Sequence, residues 1–232
     1  MKKTGMGNFD NLWAEVLWLF YQNGWYGKEG YEAIIRKESS MISKITEILN
    51  RAIEVLDFYT RKHSIEVSVL AFRLAKYIGL SDWEQEMVKL AGLVHDIGKV
   101  SIPETILNKP GPLNADEWEI MKRHPLKSAE IIQPIPGFQE IAYWILYHHE
   151  HWDGRGYPEG RKRKEIPAVA QILAVCDAYS AMTSNRPYRN ALSEEEAKEE
   201  IRNFSGIQFD PEIVEIFLSL PKEDDPKMDS WS

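Results

Sequence analysis

Of the six histidines in this 232-residue chain, five stand where their neighbours suit metal ligation. In LAGLVHDIGKVSIP, His95 and Asp96 are adjacent and Lys99 follows three residues later. An imidazole gives one nitrogen to a transition metal, and a carboxylate can bridge two metals with its two oxygens. The preceding stretch, Met87 to Val94, is mostly apolar, so the pair closes a buried helix, where an ionisable group needs a partner. A satisfied core histidine beside an N-capping aspartate is the plain structural alternative, and this stretch alone does not decide.

The other candidates are spread along the chain. His63 lies mid-helix, one turn after Tyr59. His124 sits at a His-Pro junction, and His148-His149 occupy a helix end followed by Glu150 and an exposed His151. Asp177 interrupts the apolar run Ile172 to Tyr179, where a buried carboxylate wants a cation. Four separate helices each turning a His or Asp inward is how helical bundles build metal sites. Nitrogen and carboxylate donors without thiolate suit iron, manganese or zinc better than magnesium.

The elements that must position these donors read as helices. Ile42, Ile45, Leu49, Ile53 and Leu56 repeat at helical spacing. Val67, Leu70, Ala71, Leu74 and Ile78 repeat likewise until Gly79 stops them. Ser81-Asp82-Trp83-Glu84 is a capping box opening the helix that leads to His95. Pro103, Pro110 and Pro112 mark a loop before a helix begun at Asn114 to Glu117. Pro125 is favoured in the first turn of a new helix. Further helices are expected from Ile141 to His151, from about Pro167 to Thr183, from Ser193 to about Phe204, and from Pro211. Asp153 to Gly160 and Ser184 to Leu192 read as loops. No stretch alternates at period two long enough to require a sheet, so the fold class is all-α.

Three parts are expected: an aromatic-rich helical extension over 1–38, a main domain over 39–221, and a polar tail over 222–232. The extension reads as a packed helical cap, with a dimer contact or a sensory remnant as the alternative, since exposed aromatics often mark interfaces. The single cysteine, Cys176, rules out an internal disulfide. No apolar run approaches the roughly 20 residues a bilayer requires, and the chain reads as cytoplasmic. A net charge of −8 argues against nucleic-acid polymers as partners, because those need a basic face. A small anionic ligand stays admissible, since bound divalent cations reverse the local field.

HDIGK, HHEHWDGRGYP and SNRPYR, in that order, resemble the HD-GYP family, a branch of the HD-domain metal-dependent phosphohydrolases, over roughly His63 to Leu220. The resemblance implies an HD-domain helical bundle. It also implies a phosphodiesterase that uses a metal-bridging hydroxide to open a cyclic dinucleotide second messenger, typically cyclic di-GMP, to linear pGpG or GMP. Carried over residue by residue, the metal ligands fall on His63, His95, Asp96, His124, His148, His149 and Asp177. Asp96 would bridge two metals, Lys99 would sit over the substrate phosphate, and Arg186 and Arg189 would supply the loop cations. Tyr157 would stack on a base or meet a partner protein, since the family uses this loop partly for cyclase-type (GGDEF) domains; the plain alternative is a loop that only braces His148 and His149.

Some members carry a glutamate one turn before the first histidine that helps hold a third metal. Here that place is Tyr59, whose phenol, with a pKa of about 10, is a poor ligand for a hard cation. The expectation is therefore two divalent ions, iron or manganese, with zinc admissible. Asp57 and Glu66 could substitute as ligands, but neither stands at the glutamate's offset. Glu150 and Asp153 read as groups orienting the ligand histidines. Arg161 to Lys164 reads as a solvated patch, with steering of an anion as the alternative. Two other functional readings stay open: an HD phosphohydrolase of another nucleotide, and a catalytically idle signalling module.

Overall fold

The computed structural model describes residues 58–185 and 190–221. The 1–38 extension, the helix expected around Ile42 to Leu56, the loop residues Arg186 to Arg189 and the 222–232 tail lie outside them.

The described residues are helical. The elements are α1 (Phe58–Tyr77), α2 (Asp82–Val94), a 3-10 turn (Ile97–Ser101), α3 (Glu104–Leu107), α4 (Ala115–Met121), α5 (His124–Ile132), α6 (Gln139–Leu146), a second 3-10 turn (Arg163–Glu165), α7 (Ala168–Thr183), α8 (Glu194–Asn203) and α9 (Pro211–Leu218). Among these residues there is no strand, only an isolated bridge between Ser205 and Phe209. No described helix is long and apolar enough to cross a membrane.

Local signals in the sequence set the ends. Gly79, at φ +80°, closes α1. Its N–H donates to the Lys76 carbonyl and that of Leu80 to the Ala75 carbonyl, a Schellman arrangement. Ser81, Asn114 and Ser193 each form a complete capping box, with Glu84, Glu117 and Glu196. Asp210 caps α9 through the Glu212 N–H.

Two helices form the frame. α7 is buried from Val169 through Cys176 and packs against α1, α6, α8 and α9. α2 is buried from Met87 to Val94 apart from Lys89 and lies along α1. Gly92 permits that approach: a Cβ there would stand 2.8 Å from Ser68 Cα.

One expected element ends early. The helix read from Ile141 to His151 stops at Leu146, and Tyr147 to His149 form a turn. Neighbouring residues on an α-helix point about 100° apart, so a continuing helix would aim His148 and His149 in different directions. The turn lets both rings face the same interior, with centroids 4.0 Å apart.

Candidate metal centre

The positions singled out in the sequence, from α1, α2, α5, the turn after α6 and α7, meet in one place. Three overlapping triads, His124/His148/His149, His63/His95/Asp177 and His95/Asp96/His148, each hold their donor atoms within 4.8 Å of one another. His95 and His148 belong to more than one triad, and Asp96 lies between the two ends. Its Oδ1 is 3.2 Å from His124 Nε2 and its Oδ2 is 3.4 Å from His95 Nε2. Asp96 makes no side-chain cap to the 3-10 turn that follows it, which removes the N-cap alternative.

Three imidazoles are oriented in the same way. His95 Nδ1 donates to the Gly92 carbonyl at 2.7 Å, His124 Nδ1 to Met121 at 2.9 Å and His148 Nδ1 to Ile145 at 2.6 Å. A carbonyl only accepts, so each proton is on Nδ1 and each Nε2 presents a lone pair to the interior. The Nε2 atoms of His95, His124 and His148 and Asp96 Oδ1 are buried with no hydrogen-bond partner. A shared cation would satisfy these buried lone pairs and the carboxylate oxygen between them, and the donor set fits divalent metal.

The electrostatics keep most donors in ligand form. Burial drives His148 far below the ordinary imidazole range, and the neighbouring rings of His149, His95 and His124 add to it. Burial likewise lowers His149 to about 3. Burial opposes ionisation of Asp96, but Lys99, His95 and His124 together hold it well below the usual carboxylate range. Asp177 is also held low, because the imidazoles of His63, His95 and His149 outweigh its burial. At His95 burial pulls downward, yet the adjacent Asp96 and then Asp177 leave it raised.

Lys99 Nζ lies 2.5 Å from Asp96 Oδ2 and the side chain is partly exposed, so it stands at the mouth of the centre. Tyr157 stacks on His149, with centroids 4.9 Å apart and planes 33° apart, and Trp118 meets Tyr157 edge-on. Arg186 and Arg189 lie outside the described residues. Of Tyr59 only the backbone, in the first turn of α1, is described.

The Gly-Tyr-Pro segment is built as a brace. A Cβ on Gly156 would stand 2.4 Å from the His149 carbonyl and 2.2 Å from the His151 nitrogen, so the loop backbone lies flat on the histidine turn. His151 is half-buried rather than exposed, because this loop covers it. Glu150 does not orient a histidine: its Oε1 accepts the N–H groups of Glu159 and Gly160. Asp153 accepts from the Arg155 N–H instead. The basic run is partly tied down. Arg161 donates to Glu159, Tyr143 and Tyr147 and covers the Tyr147 ring at 3.8 Å, while Lys164 pairs with Asp210 and Glu212.

Sequence reasoning missed Ser180, and it considered Glu66 only as a substitute metal ligand. Ser180 Oγ is 3.0 Å from His63 Nδ1 and donates to Glu66 Oε2 at 2.7 Å. The available signal was spacing, since Glu66 and Ser180 each follow a ligand by three residues and so share its helix face.

Known proteins are similar to this chain in sequence and in fold. The HD-domain family matches residues 33–213. A Thermotoga maritima cyclic di-GMP phosphodiesterase is 42% identical over 194 residues, covering 83% of this chain and 53% of that protein. A Vibrio cholerae 3′3′-cGAMP-specific phosphodiesterase is 37% identical over 172 residues, covering 73% of this chain and 33% of that one. The chain thus spans about half the length, or less, of these relatives. Among solved structures, a V. cholerae cyclic GMP-AMP phosphodiesterase superposes with a TM-score of 0.60 at 22% identity, over 77% of this chain and 48% of that one. With its family match and the HDIGK and HHEHWDGRGYP segments lining one centre, the chain belongs to the HD-domain family, in its HD-GYP branch.

Proposed function

We propose that this chain is a metal-dependent phosphodiesterase that opens a cyclic dinucleotide, cyclic di-GMP first among them. The observation that carries the reading is the set of buried, partnerless Nε2 and carboxylate atoms converging from separate helices. Two divalent ions, iron or manganese, would be held by His63, His95, Asp96, His124, His148, His149 and Asp177, with Asp96 shared between them. Such ions, when bound, acidify water and clamp phosphoryl oxygens.

The chain's own residues supply the rest. Lys99, with an ammonium at the mouth of the centre, binds a phosphate oxygen and balances negative charge that grows on it during hydrolysis. Arg186 and Arg189 fork onto phosphate or a guanine edge. Tyr157, held against His149, presents an aromatic face to a base. Asp96 and Asp177, ionised far below neutral pH, keep a charge complementary to the cations. The exposed residues Arg155, Pro158 and Glu159 on the outer side of the brace are open to a cyclase-type partner domain.

A second substrate, 3′3′-cGAMP, is favoured by the similarity to relatives named for it. The full donor set argues against an idle module. Anaerobic purification, elemental analysis and incubation of one sample with cyclic di-GMP and with 3′3′-cGAMP test the reading. About two equivalents of iron or manganese and a linear or mononucleotide product are expected. Bound metal with neither dinucleotide cleaved would redirect the search to other nucleotides, and a protein that takes up no metal would favour the module.

A further inference from the structure

His63 is oriented differently from the three histidines locked on backbone carbonyls. Its Nδ1 faces the hydroxyl of Ser180 at 3.0 Å. Ser180, 1% exposed, lies on α7 one turn beyond Asp177. Its hydroxyl gives its single proton to Glu66 Oε2 at 2.7 Å, although a helical serine often turns back on its own helix. Since an ionised carboxylate only accepts, the serine oxygen is left to accept from His63. With Nε2, 2.9 Å from Asp177 Oδ1, given to a cation, the proton of His63 would stand on Nδ1, where the serine oxygen accepts it. Glu66 is held in turn by the Ser184 hydroxyl at 3.0 Å and by Lys62 at 3.5 Å.

We infer that Glu66 and Ser180 form a positioning pair that sets the tautomer and aim of His63, and so the affinity of the His63/Asp177 end for its metal ion. The pair joins α1 to α7 across 114 residues of sequence, and it holds the helix carrying His63 in register with the helix carrying Asp177. This deepens the metal-centre reading above and rests on it. Partners that orient a ligand histidine commonly carry ~10–100-fold of metal affinity.

The test is Mn²⁺ binding to the chelator-stripped full chain, followed by the electron paramagnetic resonance signal of free Mn²⁺, with no nucleotide present. Wild type is expected to take about two equivalents. In Ser180→Ala one equivalent should weaken by ~10–100-fold while the other is unchanged. Glu66→Ala, at a partly exposed side chain that tolerates truncation, should reproduce that selective loss. Glu66→Gln, whose amide oxygen still accepts the serine proton, should restore it. The double variant Ser180→Ala/Glu66→Ala should be no worse than either single one, as expected for groups acting as a unit. If both single variants bind two equivalents with wild-type affinity, or weaken both equally, the positioning role is overturned. Should Ser180→Ala fail to fold, the two Glu66 variants decide alone. A wild type that binds no metal overturns the metal centre itself, a distinct failure.

Discussion

The two ends of the centre are built by different means. At the Asp96 end, His95, His124 and His148 are pinned by carbonyls three residues earlier in the chain. Each orienting contact is local and belongs to backbone that no substitution removes. At the Asp177 end, His63 depends on the side chain of Ser180, 117 residues away. The first end is stiff wherever its turns form. The second is assembled only when α1 and α7 dock, so it is the adjustable one. A backbone-held ligand is sensitive to what pushes its turn, and a side-chain-held ligand to what truncates its partner.

The largest effects should come from the shared residues. His95→Ala and Asp96→Ala each remove donors common to both ends, and are expected to abolish metal retention and turnover with helical content near wild type. Elemental analysis and circular dichroism check this, and full turnover in either variant would refute the ligand assignment. Next is Lys99→Ala, which should keep both metals and lower kcat by ~10²–10³-fold, as for other lost charge stabilisers. Unchanged kcat at full metal content would remove Lys99 from the chemistry.

Gly98→Ala probes the stiff end through its backbone. The new Cβ would meet the His124 carbonyl at 2.3 Å and the Ser128 nitrogen at 2.4 Å, forcing the 3-10 turn away from the start of α5. A loss of ~1–3 kcal/mol, typical of overpacking, is expected in chemical denaturation, with Mn²⁺ affinity falling at the His124 end. An affinity loss confined to the His63 end would reverse the assignment of the two ends.

The smallest effect is that of pH on the stripped protein. His148 and His149 stay neutral in the fold, the latter down to about 3, while unfolded histidines take up protons below about 6.5. The unfolded state therefore binds more protons in that window, and stability falls as pH falls. His95, raised, has the opposite sign, contributing stability below 6.5 that is lost as pH rises. Asp96 and Asp177, lowered, contribute stability above about 3.8 that is lost below it. The net expectation is a melting temperature that declines from pH 7 to pH 5 in chelator. His149→Gln should flatten the decline, and a wild-type melting temperature constant over that range would contradict the neutral pair.

Much of this centre could be read before any coordinates. Capping boxes at Ser81, Asn114 and Ser193 and the stop at Gly79 are local devices, decided within four or five residues of chain, so helix starts and stops followed from residue types. The donors were legible for a related reason. A histidine or aspartate inside an apolar helix has few ways to be satisfied, and a shared cation would satisfy several such residues at once.

Other features depended on parts of the chain meeting. The turn that ends α6 at Leu146 exists because His148 and His149 must face one interior while Gly156 packs on their backbone, and helical periodicity alone carried the helix past it. Glu150 bracing the loop through Glu159 and Gly160, and Glu66 reaching His63 through Ser180, are contacts between segments brought together by packing. Helix identity and ligand chemistry are properties of short segments, and the sequence determined them by itself. Which side chain orients which ligand is set by the docking of distant helices, and only the tertiary structure decided it.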